Sequence, residues 1–323
     1  MNKSALGVNS ISNHGKEQAS FHKIPMPLRA RIEVSRLCNL KCRSCPMGMN
    51  KIKNKGIMSL DDFKKIIKLI KKSVIEIALF NYGEPLINPD IAKMVKLAKV
   101  SGIKMVSIYS NGLLLNKKLS RKLINSGLDN ITISIDGASN DTYKKYRVGG
   151  DLNLILKNIK DFIAVKKDMG AKKPALEVQF VVMKHNEHEI EKFSEICKNI
   201  GVDEVVFKTF NAYMGGYEDR KINLKFIPKN INYSRYKTAS AKEVSSQYAL
   251  SRCAWPWENL VVSANGDICL CCHDYNSDYK LGNILKDDNW WDTEGRRKIQ
   301  DNIIKGKNNI NMCKHCSIPG NIG

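Results

Sequence analysis

From Leu28 to Lys208 the chain alternates short β-branched runs with longer stretches whose apolar residues recur every three and four positions. A strand turns alternate side chains to one face, whereas a helix returns to the same face after three or four residues, so the two periods are distinguishable. Strands are predicted at Arg31–Ser35, Val74–Phe80, Ile103–Tyr109, Asn130–Ile135, Ala175–Val182 and Glu204–Lys208. Helices are predicted between them at Leu60–Lys71, Pro89–Ser101, Lys117–Ser126, Leu152–Asp168 and Glu187–Ile200. Ser59, with Asp62 three positions on, reads as a capping box. Gly102, Gly127, Gly170 and Gly201 fall just past helix ends, where a left-handed cap is wanted. This repetition predicts an α/β protein, a partial (β/α)6 TIM-like barrel with a parallel sheet and right-handed crossovers. Functional residues of such sheets lie at the carboxyl ends of the strands.

The barrel pattern occupies residues 26–211, after an N-terminal arm of residues 1–25 that is expected to be loosely ordered. Residues 212–250 are polar and irregular, the profile of a linker or a substrate-facing loop. Residues 251–323 form a small cysteine-rich domain, with strands at Leu260–Ser263 and Ile268–Leu270 joined through the turn Ala264-Asn265-Gly266.

The 53 basic and 32 acidic side chains give a net charge of +21, which favours anionic partners. The lysines are spread over nearly every helix, so the balance reads as a solvated surface and nucleic acid is not expected as a partner. No apolar run is long enough to span a membrane and no signal-peptide core precedes the barrel, so a cytoplasmic location and no membrane partner are expected. In that compartment ten cysteines are better suited to metal than to disulfides.

Three of them, Cys38, Cys42 and Cys45, stand directly after the first strand in a Cys-x3-Cys-x2-Cys loop. Three thiolates so close can hold three irons of a [4Fe–4S] cubane and leave the fourth iron open to a ligand. Zinc is the alternative, but a structural zinc site wants four closed ligands.

The triplet in a β-α repeat chain resembles the radical S-adenosylmethionine (radical SAM) superfamily, and further segments fit it. Tyr82-Gly83-Glu84-Pro85 resembles the family's GGE segment, with Tyr82 in place of the first glycine. Ser110-Asn111 and Ser134 with Asp136 resemble edges of the SAM pocket, and Tyr146-Arg147 resembles a pair whose arginine meets the SAM carboxylate. Gln179 and Lys208 would face the same mouth. The resemblance implies that SAM, chelated by the open iron, is cleaved by one electron to a 5′-deoxyadenosyl radical. An electron donor such as flavodoxin or ferredoxin is implied with it.

The C-terminal cysteines resemble the start of a SPASM extension, in the shortened "twitch" form found in the butirosin-pathway aminocyclitol dehydrogenase. That likeness implies a second, auxiliary [4Fe–4S] cluster on Cys253, Cys271, Cys313 and Cys316, with Cys269 and Cys272 as alternatives to Cys271. Zinc on the same thiolates is the competing reading. The function expected is a radical SAM oxidoreductase that dehydrogenates a small carbohydrate or cyclitol, with the auxiliary cluster accepting an electron. Asp274 or His273 would serve as base, Arg147 would stabilise charge, and Cys272 could instead return a hydrogen atom, which would suit an epimerase. The alternatives are modification of a ribosomal peptide by epimerisation, thioether formation or side-chain oxidation, and an RNA-modifying iron–sulfur protein.

Overall fold

The computed structural model describes residues 24–213, 223–238, 253–314 and 316. Residues 1–23 of the expected arm and most of the expected 212–250 loop lie outside the described residues. The chain order is β1 (Arg29–Ile32), α1 (Leu60–Ile70), β2 (Glu76–Ala78), α2 (Ile91–Val100), β3 (Met105–Ser110), α3 (Lys117–Asn125), β4 (Asn130–Ser134), α4 (Asn140–Tyr146), α5 (Leu152–Asp168), β5 (Ala175–Val182), α6 (Ile190–Ile200) and β6 (Glu204–Thr209). The three strands β7 (Asn259–Val262), β8 (Asp267–Cys269) and β9 (Gly282–Asn283) follow.

All nine strands form one open sheet in the order β6-β5-β4-β3-β2-β1-β7-β8-β9. β1 to β6 run parallel in sequence order, as β-α-β units with packed helices require, which is the partial barrel expected. β7 pairs parallel with β1, from Arg29 opposite Asn259 to Ile32 opposite Val262, and β8 and β9 continue antiparallel. The cysteine-rich region therefore extends the barrel sheet rather than standing apart from it. Trp291 seals the join by donating its indole N–H to the Pro25 carbonyl at 2.8 Å.

Helices pack on one face of the sheet. α1 turns Phe63, Ile66, Ile67 and Ile70 inward, none more than 1% exposed. Each such side chain contributes about 1.5–3 kcal/mol by leaving water. The Ser59 hydroxyl accepts from the Asp62 amide at 3.0 Å, which caps α1 as expected, and donates to the Asp62 carboxylate at 2.9 Å, where a full capping box would engage the Ser59 amide. Gly201 takes the left-handed conformation at φ +84° just after α6, as its position predicts.

Several boundaries shift by one to three residues, and two helices are absent from the pattern. β1 ends at Ile32, not Ser35, because Glu33 and Arg36 turn into a buried ion pair at 3.3 Å. The segment before α2 makes a separate 3-10 turn at Pro85–Ile87. The polar helix α4, capped by Ser139, and the C-terminal helix Glu294–Lys305, capped by Thr293, carry too few apolar residues to show a period.

Candidate cofactor and active site

The cysteine triplet sits on a loop leaving the carboxyl end of β1, held from three sides. The Lys41 amide donates to Val148 O at 2.9 Å, and the Arg43 amide and guanidinium donate to Tyr146 O and Lys145 O, tying the loop to the end of α4. Ser44 and Tyr146 share a 2.6 Å hydroxyl contact. From the β2 side, the Glu84 amide donates to Leu37 O at 2.7 Å, and a Cβ on Gly83 would stand 1.9 Å from the Ser35 carbonyl. After Cys45 the chain folds back so closely that a Cβ on Gly48 would lie 2.2 Å from Cys42 O.

Burial pushes the Cys38 thiol up to about 11 and Cys42 up to about 12, and raises Cys45 as well, while Arg147 opposes all three shifts. Such gathered, desolvated thiols become thiolates when a metal takes the place of their protons. Arg147 is the nearby cation. Burial alone would lower its pKa, but Asp136 at 2.7 Å and the thiol of Cys42 outweigh that and raise it.

A second cysteine group lies beyond β7. Cys253, Cys271, Cys272, Cys313 and Cys316 line a cavity with Trp255 on its wall. The Cys271 and Cys272 thiols are hydrogen-bonded to each other. That contact raises Cys271 and lowers Cys272, which Arg31 also holds by a hydrogen bond. Tyr82 relates the two groups. Burial raises its phenol, and the thiols of Cys272, Cys45 and Cys271 raise it further, so it stands within electrostatic reach of both. Its ring meets Tyr275 edge-on at 5.7 Å.

Residues 32–197, just over half of the chain, match the radical SAM superfamily, and residues 253–317 match the SPASM iron–sulfur cluster-binding domain. The chain belongs to the radical SAM superfamily. Among curated proteins it is similar to a probable GTP 3′,8-cyclase of Methanococcus maripaludis, 29% identical over 188 residues, which is 58% of either chain. The chain spans little more than half the length of the curated relatives it matches. Among solved structures it resembles BtrN in complex with AdoMet and 2-DOIA, with a TM-score of 0.56 at 16% identity, covering 91% of this chain and 94% of that one. It also resembles SuiB of Streptococcus suis bound to S-adenosylmethionine, with a TM-score of 0.63 at 18% identity, covering 85% and 68%. At these identities the likeness is one of fold.

As a radical SAM protein with a SPASM domain, the molecule uses a SAM-binding [4Fe–4S] cluster and an auxiliary [4Fe–4S] cluster. The residues present fit both. Three gathered thiols, Cys42 buried and Cys38 and Cys45 half-buried, beside a cation suit the first, and a thiol-lined cavity suits the second.

Several residues expected at the radical SAM pocket turn out to be braces. The Glu84 carboxylate accepts from the Leu86 amide, the Ser110 hydroxyl at 2.7 Å and the Asn111 amide at 2.8 Å, so Glu84 and Ser110 are spent on joining the ends of β2 and β3. Pro85 opens the buried 3-10 turn beside them. Asp136 has no exposed surface and is engaged by Arg147 and by the Val181 amide, which makes it a positioning residue rather than a pocket contact. Asn111 does reach the triplet, with its amide nitrogen 4.0 Å from the Cys38 sulfur and 2.7 Å from Asn39. Ser134 and Gln179 face each other across β4 and β5, and Lys208 lies at the exposed end of β6.

Asp274 is not poised as a base. It is buried, and its carboxylate accepts from the amides of Leu270, Asp278 and Tyr279, so its lone pairs brace the turn that carries Cys271 and Cys272. Cys269 turns away from the cavity toward the Ser277 hydroxyl at 3.2 Å. His273 does line the cavity, and its buried Nε2 has no hydrogen-bond partner among the described residues. Burial pulls its pKa below the usual histidine value.

Pattern reading missed Arg31, Phe80, Tyr109 and Glu177. They look like the solvent side of amphipathic strands, and only curvature of the sheet turns that side into a lumen.

Proposed function

We propose that this protein is a radical SAM oxidoreductase that dehydrogenates a small, hydroxylated, carbohydrate-like substrate held between its two cysteine groups. The observation that carries this reading is that Tyr82, packed edge-on against Tyr275, lies within electrostatic reach of Cys45 and of Cys271 and Cys272 alike. A substrate in that interval is open to both cofactors. When bound, the cofactors supply a 5′-deoxyadenosyl radical that takes hydrogen from carbon and, at the second cluster, a one-electron acceptor.

The protein's own part is orientation and proton handling. Cys38, Cys42 and Cys45 would hold the first cluster, and Arg147, pinned through its Nε by Asp136, would keep its remaining N–H groups for the SAM carboxylate. Cys253, Cys271, Cys313 and Cys316 would hold the second cluster. Four residues separate Gly266 from Cys271, leaving Cys272 turned toward Arg31. His273, largely neutral with an unpartnered Nε2, is the residue suited to accept the substrate proton. An acidic electron carrier such as flavodoxin or ferredoxin suits the net charge of +21.

A second reading is peptide modification, favoured by the fold likeness to SuiB, which has been solved bound to precursor peptide SuiA. The reduced enzyme supplied with SAM and a panel of polyols and cyclitols separates the two. The dehydrogenase reading expects one compound to accelerate 5′-deoxyadenosine formation and to yield a product lighter by two hydrogens. It also expects Cys313→Ala to cleave SAM without that product. Acceleration by a peptide alone, with no polyol product, would overturn it.

A further inference from the structure

The lumen of the half barrel holds a polar cluster distinct from the triplet, and Arg31 is its centre. Its guanidinium carbon lies 4.5 Å from the Phe80 ring centroid and 5.5 Å from that of Trp255, and Phe80 stacks on Tyr109 at 4.1 Å. The two aromatic faces fix the plane of the guanidinium and leave its edge for a ligand. Part of that edge meets Cys272. Among the described residues Arg31 makes no ion pair, although Arg29, two residues earlier on the same strand, pairs with Glu76 at 3.4 Å.

Two further groups face Arg31 across the lumen. The register of β5 and β6 puts Lys208 opposite Val181, on the same side of the sheet as Glu177. Burial disfavours the Lys208 charge, Glu177 supports it, and Arg31 lies close enough to oppose it. The Glu177 Oε1 atom is buried without a hydrogen-bond partner among the described residues. His273 feels both Arg31 and Arg235, a third cation on this side. Arg31, Lys208 and Arg235 thus bring positive charge to this side, and Glu177 still has an acceptor to offer.

We infer that the substrate carries an oxyanion, a phosphate or a carboxylate, gripped by Arg31 with Lys208, and a hydroxyl group that donates to Glu177. The planar fork of Arg31 suits either oxyanion, because both present paired oxygens to parallel N–H donors. This inference rests on the dehydrogenase reading for its substrate class, but its test needs no radical chemistry.

Binding of glucose 6-phosphate, gluconate and glucose to the cluster-loaded, unreduced protein is measured by calorimetry. The inference expects at least one of the two anions to bind at least tenfold tighter than glucose, and the tighter of them identifies the oxyanion. Arg31→Gln and Lys208→Gln should each erase about tenfold of that preference. Lys65→Gln, an exposed helix position, should leave it unchanged and so report the general pull of a basic surface. Arg31→Lys, which retains charge and stem, should fall between wild type and Arg31→Gln. Equal binding of the three compounds, binding of none, or a preference that survives both Arg31→Gln and Lys208→Gln overturns the inference. If Arg31→Gln instead changes only the auxiliary-cluster absorption, Arg31 serves that cluster and the inference fails. SAM cleavage in the same preparations, read separately, reports on the radical reading alone.

Discussion

Arg147 is held at 2.7 Å by Asp136, a carboxylate with no exposed surface, while the Arg147 side chain retains only 12% of its own. The same Asp136 accepts the Val181 amide at 2.7 Å, so it links the end of β4, the arginine and the end of β5. Arg147 opposes the upward shift of all three triplet thiols, which places its charge at the cluster loop.

Breaking this pair is therefore expected to cost more than a surface ion pair. Asp136→Asn should destabilise the protein by about 3–5 kcal/mol in urea unfolding, because it strands a buried guanidinium. The double change Asp136→Leu with Arg147→Met should recover much of that loss without restoring SAM binding. A loss below about 1 kcal/mol for Asp136→Asn would show that the pair is solvated.

Glu33 makes stability depend on pH. Burial raises its carboxyl from 4.5 to about 7, against the opposing pull of Arg36. The folded chain therefore holds a proton that the unfolded chain releases between those values. The stabilisation is complete below about pH 4.5, declines as pH rises, and is gone above about pH 7, a loss of roughly 3 kcal/mol. Unfolding measured from pH 5 to 8 should show this decline in wild type and a much flatter profile in Glu33→Gln. Parallel profiles would remove Glu33 as the source.

Gly83 tests the packing of the cluster loop. An added Cβ would meet the Ser35 carbonyl at 1.9 Å, backbone against backbone, so no side chain can yield to relieve it. Gly83→Ala should displace the loop and lower both iron retention at the triplet and SAM cleavage by tenfold or more, at a cost of about 1–3 kcal/mol. Wild-type iron content in the variant would mean that the loop absorbs the change.

Asp274 separates a brace from a base. Loss of three amide contacts predicts that Asp274→Ala costs about 3 kcal/mol or more and weakens iron binding at the second cysteine group, with SAM cleavage at the triplet retained. A free catalytic carboxylate would be removed at under about 1 kcal/mol.

The elements that were legible are those whose pattern has one meaning. β5 alternates buried and partly exposed residues over Ala175–Val182, and α5 presents a sustained apolar stripe over Leu152–Asp168, so both were read to the residue. The cysteine loop was legible because thiol spacing is local. What hid the rest is tertiary. The run through Ser35 looks extended until Glu33 finds Arg36, and Asp274 looks available until its amide donors are counted. Arg31 and Glu177 read as solvent-facing until the sheet curves around them. Parallel pairing of β7 with β1 joins residues more than two hundred positions apart, which no local pattern announces.

Two separate iron–sulfur sites on one chain distinguish this protein from a single-cluster radical SAM barrel. Iron and sulfide should be counted after anaerobic reconstitution of wild type and of the triple variant Cys38/Cys42/Cys45→Ala, with SAM cleavage measured alongside. Two cubanes predict about eight irons in wild type and about four in the variant, with cleavage abolished. About four irons in wild type and none in the variant, or zinc in place of iron at the C-terminal cysteines, would contradict this prediction.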